Sequence, residues 1–263
     1  MDKLNILSLG AGVQSSVMAL MASRGIITPM PDAAIFADTQ WEPKAVYDHL
    51  DWLETQLSFP VYRVSKGNIK EDLLGNRGEN PKRFAAIPYF TENGGMGRRQ
   101  CTKEYKLYPI RDKAKELLDW PKGKRIPPES IISWIGISTD EASRMKPATV
   151  GYMKNIFPLI DADMSRQDCI NWFAEHYPGR MLAKSACIGC PYHNDALWRD
   201  IKNNDPDSWA DAVNTDHKMR HKMRYKEYMH RSMKPLDEVD FRTLEDMGQL
   251  NMFNEECEGM CGV

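Results

Sequence analysis

The feature that most limits what this chain can fold into is its opening, LNILSLGAGVQSSVMAL over residues 4–20. Leu4 to Leu9 has the character of a buried strand, and Val17, Met18, Leu20 and Met21 recur at helical spacing as far as Gly25. Between them stand two glycines, a glutamine and two serines. Such a turn presents backbone N–H groups to an anion, and the following helix N-terminus adds about half a positive charge. Gly10 and Gly12 would let the backbone approach closely, while Ser15 and Ser16 would cap the helix or donate to phosphate. The order of residues is neither G-x-G-x-x-G nor a Walker A sequence, since no lysine follows the glycines. The same turn also serves as an ordinary tight βα connection without a ligand.

Further along, short β-type runs alternate with helical patterns: Ala33 to Ala37, Val61 to Ser65, Ile131 to Ile137 and Ile156 to Ile160. This predicts an α/β fold, doubly wound on a mainly parallel sheet. Pro43 starts a helix whose Val46, Leu50, Leu53 and Leu57 share a face, with Pro60 just past its end. Gly67 to Arg99 shows little periodicity and reads as a long loop. After Asp161 the character changes: Ser165 with Asp168 forms a capping box, and helical patterns follow nearly to Phe241. The expected organisation is an α/β core over residues 1–163 and a helical extension over residues 164–263.

The 263 residues can bury a substantial core, and a formal net charge of -2 gives no global pull toward nucleic acid or membrane. No apolar run reaches membrane-spanning length, and the interrupted N-terminal stretch with Asp2 argues against a signal peptide. A cytoplasmic protein is therefore expected, without a membrane partner. In that compartment the six cysteines are mostly reduced, so close spacing points to metal ligation or thiol chemistry. Cys187 and Cys190, two residues apart, can bind one metal centre. Cys169 lies among Ile170, Trp172 and Phe173 and reads as a buried thiol.

SLGAGVQSS resembles the PP-loop of adenine-nucleotide α-hydrolase-like proteins (a HUP-type fold), in the variant found in phosphoadenylyl-sulfate (PAPS) reductases. FADTQWEP, RRQCTKEYKLYPIRD, WIGISTDEASR, FPLIDADMSRQDCINW and CIGCPYH are similar to further family segments, in the family's order. The resemblance implies that Ser8, Gly10, Gly12, Gln14, Ser15, Ser16, Asp38, Thr39, Gly136 and Ser138 border an adenine nucleotide. Arg98, Arg99, Lys103, Lys106 and Arg144 would hold phosphate or sulfate. Gln14 stands where ATP pyrophosphatases have an aspartate, and an amide holds magnesium less well than a carboxylate.

The resemblance also implies Cys101 as a third metal ligand with Cys187 and Cys190, in an iron–sulfur cluster of the 4Fe-4S type. Gln100 stands where the family has a second cysteine, so one iron would be open, as in similar tRNA-thiolating enzymes, or Cys257 or Cys261 would complete the set. Zinc with His193 as fourth ligand and an unmetallated redox pair are the alternatives. Glu256-Cys257 and Cys261-Gly262 are similar to parts of the reductase tail E-C-G-x-H, so Cys257 and Cys261 are candidate nucleophiles, with a thioredoxin-like thiol reductant as partner.

HKMRHKMRYKEYMHRSMK over residues 217–234 reads as a basic helix. With Tyr225 and Tyr228 it would contact a nucleic-acid backbone and stack on bases, or it is a solvated face packed through Met219 and Met223. The expected activity is thiol-dependent cleavage of an adenylyl-sulfate nucleotide to sulfite. ATP-dependent sulfur transfer to a nucleic acid, with magnesium, is the second expectation, and a non-catalytic nucleotide sensor the third.

Overall fold

The computed structural model describes residues 3–75, 87–220 and 226–242. Its centre is a parallel five-stranded sheet in the order β3-β2-β1-β5-β6. The strands are β1 (Leu4–Leu9), β2 (Ala33–Asp38), β3 (Val61–Ser65), β5 (Ile131–Ile135) and β6 (Met153–Ile156). β1 runs beside both β2 and β5, with Leu7 level with Ala34 on one side and Trp134 on the other. Strand order reverses at β1, and open α/β sheets bind ligands beyond the carboxyl ends of the strands at such a reversal.

Alternate residues of each strand go to opposite faces. Leu7, Leu9 and Phe36 pack with α1 (Val13–Ser23), α2 (Lys44–Gln56) and α6 (Arg166–His176) on one face. Ile6, Ile35 and Ile131 pack with Ile110 and Ala114 of α4 (Tyr108–Leu118) on the other. Because both faces are covered, the strands read as near-continuous apolar runs. Val46, Leu50 and Leu53 of α2 are buried as their spacing requires, and full burial of each such side chain contributes about 1.5–3 kcal/mol.

The sequence expectations differ from the structure in three places. Ile156 to Ile160 is not a strand: the strand lies earlier, at Met153–Ile156, and Pro158 starts the short helix α5 (Pro158–Asp161). Inside the expected loop, α3 (Ile69–Leu74) is capped by the Asn68 side chain, which accepts from the N–H groups of Lys70 and Glu71, and is closed by Gly75 at φ +68°. That Asn and Gly, bracketing Ile69, Leu73 and Leu74, were the available signals. Residues 217–234 are not one helix. α7 (Asp195–Asn204) precedes α8 (Pro206–Arg220), and Glu227–Tyr228 form β7, antiparallel to β4 (Phe90–Thr91). Tyr225 lies outside the described residues.

The Ser165–Asp168 capping box is present. The helix it begins, α6, packs on α1 within the same apolar cluster as the sheet, and Cys169 is fully buried there. A second cluster joins Trp41, Ile69 and Tyr89 to Trp198 of α7 and Met219 of α8. Among the described residues no helix is long and apolar enough to cross a membrane.

Candidate functional site: two cavities with a common wall

The turn after β1 was expected to use Gly10 and Gly12 for a close backbone approach, and its geometry places the special positions elsewhere. The left-handed residue is Ala11, at φ +55° and fully buried, while Gly12 is extended at φ -96° and ψ -176°. The Gly10 N–H donates to Ser15 Oγ at 3.2 Å, which ties the turn to the first helical turn. Among the described residues no side chain caps α1, and Gly12, Val13, Gln14 and Ser15 line a cavity. A helix N-terminus facing a cavity in this way favours an anion.

Close approach occurs at Gly136 instead, just past β5. A Cβ there would lie 2.9 Å from Ser15 N and 3.0 Å from its Cα. Glycine is thus required for the end of β5 to pass beneath the turn. Ser8 and Leu9 of β1, Phe36 and Ala37 of β2, and Ile135 with Gly136 line the cavity floor.

Four cations surround this space: Lys106, Arg144, Arg166 and Lys184. Arg144 is ion-paired with Glu141, and its Nε is buried without a hydrogen-bond partner among the described residues. The Gln14 amide donates to Ser138 Oγ and to Glu141 Oε2, both at 3.4 Å. Ser138 is fully buried beneath this contact and does not line the cavity. Arg166, Lys184 and Ser185 were not anticipated as site residues. They come from the start of α6 and the irregular segment after it, where spacing carries no sign of what they face.

Of the residues expected to border a nucleotide, Ser16, Asp38, Thr39 and Ser138 do not line this cavity. Ser16 is fully buried in the core, with Oγ 3.0 Å from His49 Nε2 of α2. Asp38 is a turn residue: Oδ1 accepts from the Gln40 N–H at 2.7 Å and from Tyr47 OH at 2.8 Å. Of the residues expected to hold an anion, Arg98 and Lys103 line neither this cavity nor the one described below. Both are exposed, with Lys103 Nζ 5.6 Å from the Tyr108 ring centre.

The Ser16–His49 pair carries a pH dependence. Burial, with a smaller contribution from Arg180, lowers the His49 pKa to about 4. Between about pH 4 and 6.5 the unfolded chain therefore binds a proton that the folded chain excludes. His49 should make stability fall as pH drops through that window, by about 1.4 kcal/mol per unit from this one group. Urea unfolding from pH 7 to 4.5 should show this loss, with a shallower slope in His49→Gln; equal slopes would remove His49 as its source.

Next to the first cavity lies a second, lined by Cys101, Cys187 and Cys190 with Thr39 and Arg99. Thr102 and Lys106 line both. They belong to the π-helical segment Thr102–Leu107, directly after Cys101 and ahead of α4. Such widened turns are frequent at functional sites. Thr39 Oγ1 lies 3.2 Å from Cys187 Sγ, and Glu42 Oε1 accepts from Thr39 at 3.2 Å and from Cys187 at 3.5 Å. Lys106 Nζ is 3.8 Å from that carboxylate, whose side chain is 1% exposed.

The Cys187–Cys190 turn is closed by the Cys190 N–H donating to Cys187 O at 3.0 Å. The Ile188 N–H donates to Trp41 O at 2.8 Å, and the Tyr89 hydroxyl donates to Gly189 O at 3.0 Å. His193 faces the first cavity, and its Nε2 lies 3.0 Å from Cys187 O and 3.2 Å from Ile188 O. Two carbonyls require an N–H there, so that nitrogen holds the turn and is not offered as a ligand. Burial lowers the His193 pKa to about 4, keeping the ring neutral.

Among the described residues no three Cys, His, Asp or Glu side chains gather around a point suited to one metal ion. The three cysteines share a cavity instead, walled by Ile69, Ile87, Pro88 and Pro191. Three thiols lining one cavity are a donor set that zinc and iron–sulfur centres both use. Cys257 and Cys261 lie outside the described residues.

No protein-family model matches the chain, and no curated protein matches it.

Proposed function

We propose that this chain is an adenine-nucleotide-dependent sulfur enzyme of the PAPS reductase type, which cleaves an adenylyl-sulfate nucleotide to sulfite. The observation that carries this reading is the common wall. A cavity at the N-terminus of α1, lined by Lys106, Arg144, Arg166 and Lys184, shares Thr102 and Lys106 with a cavity lined by three cysteines.

In this reading the α1 N-terminus receives the nucleotide phosphate. Arg144, Arg166 and Lys184, with Lys106 at the wall, neutralise phosphate and sulfate and fix the direction of the phosphosulfate bond. A tail thiolate, from Cys257 or Cys261, attacks the sulfate sulfur. The bond from sulfur to the bridging oxygen breaks, the nucleotide leaves on its phosphate, and an S-sulfonated cysteine remains. A second thiol attacks that cysteine's sulfur, releasing sulfite and closing a disulfide. The dithiol supplies the two electrons that reduce sulfate sulfur to sulfite, and a thioredoxin-like partner restores it. Cys101, Cys187 and Cys190 would hold an iron–sulfur centre, which when bound supplies an electrophilic, sulfur-binding metal position beside the reacting group.

The test is sulfite release by anaerobically purified, metal-loaded protein given adenylyl sulfate or its 3'-phosphorylated form with a thiol reductant. Turnover should vanish when both tail cysteines are replaced, while nucleotide binding persists. No sulfite from either substrate would overturn the reading.

A second reading, ATP-dependent sulfur transfer to a nucleic acid, is favoured by Glu141. It places at the turn a carboxylate that residue 14 lacks, as a magnesium ligand would require. Pyrophosphate release from ATP, stimulated by RNA or DNA, would establish that alternative.

A further inference from the structure

Beside the site, an open groove runs along α4 from the carboxyl end of β3. Lys66, Tyr108, Arg111, Lys113, Lys115 and Tyr152 line it. Tyr108, which lines it, follows directly in the chain on Lys106 and Leu107, which line the first cavity. From this groove we infer a binding surface for single-stranded nucleic acid, distinct from the 217–234 stretch.

Charge is the first argument. Four cations line the groove against two carboxylates, Asp112 and Glu116, in a chain whose net charge is -2. Both carboxylates are solvent-exposed, with side chains 72% and 68% exposed. Their pairs with Lys115 and Lys113 are local i,i+3 contacts on one helix, and exposed pairs of this kind hold weakly, so a phosphate can exchange for them. Lys113 Nζ also lies 4.5 Å from the centre of the Tyr62 ring.

The aromatic rings are the second argument, and they separate a nucleic acid from an acidic peptide. Tyr108 is 38% exposed at the end of the groove nearest the site, with Lys103 beside its ring. An exposed ring flanked by cations offers a base a stacking surface while the cations follow the backbone. The eleven residues of α4 span about 16 Å, room for a few nucleotides.

The experiment is fluorescence anisotropy of the full chain with end-labelled 12-nucleotide RNA and DNA strands, and with an abasic strand of equal charge, at 50–200 mM salt. A Lys66→Glu/Lys115→Glu double variant should bind at least tenfold more weakly, with the salt slope reduced by about 1.4. Tyr108→Ala should weaken binding to base-bearing strands several-fold and leave the abasic strand unchanged. Adenine-nucleotide binding by the same variants should equal wild type, which separates failure of this surface from failure of the nucleotide reading. No binding at 50 mM salt, equal binding by wild type and the double variant, or equal binding of abasic and base-bearing strands by wild type would overturn the inference.

Discussion

Replacing Gly189 with alanine is expected to do more damage than any other single-methyl change in the second cavity. A Cβ at that position would lie 2.1 Å from Cη2 of Trp41 and 2.8 Å from two further ring carbons. The ring has no room to yield: Trp41 is 3% exposed, its indole N–H donates to Asp211 Oδ2 at 2.7 Å, and Lys70 pairs with the same carboxylate at 2.9 Å. The turn carrying Cys187 and Cys190 must therefore move away from the wall. Overpacking of this kind costs about 1–3 kcal/mol. Urea unfolding should show that loss in Gly189→Ala, together with faster alkylation of Cys187 and Cys190 in the folded protein. Wild-type stability combined with wild-type thiol reactivity would show that the Trp41–Gly189 contact does not position the turn.

The second large effect is expected at Gly136, and it falls on ligand binding. Alanine there meets backbone atoms of Ser15, and the start of α1 has to shift. If the misfit is transmitted to the bound state, the same 1–3 kcal/mol becomes roughly a 5–150-fold loss of nucleotide affinity. Gly10→Ala is the informative contrast, because its Cβ would meet only Ser15 Oγ, at an ordinary 3.5 Å. Calorimetric titration with adenine nucleotides should rank Gly136→Ala well below Gly10→Ala. The reverse ranking would mean that the glycines of the turn carry the close approach, as their position in the sequence suggests.

That contrast shows how far the sequence could be read. Leu4–Leu9 followed by small residues and a second apolar stretch determined the strand-turn-helix beginning, because residues buried within one element leave an apolar run or spacing in the sequence. Val46, Leu50 and Leu53 were legible for the same reason. The site was legible where chemistry is local. Cys187 and Cys190 share a turn, and the π-helical segment after Cys101 brings a third thiol to their cavity.

Other residues look equivalent in sequence but separate in space. Ser15 and Ser16 are neighbours, yet one ties the turn and lines the cavity while the other is buried against His49, because successive residues of a helix point about 100° apart. Lys103 and Lys106 are three residues apart; Lys106 joins the two cavities and Lys103 lies over Tyr108.

The sequence by itself therefore determined the alternating elements, the buried faces and the pairing of Cys187 with Cys190, since each depends on spacing within one stretch of chain. Only the tertiary structure decided that Gly136 passes under the turn, that Trp41 fills the space above Gly189, and that Arg166 and Lys184 join Arg144 around one cavity. Those relations join residues far apart in the chain, and packing alone, which no local periodicity records, brings them within a few ångströms of one another.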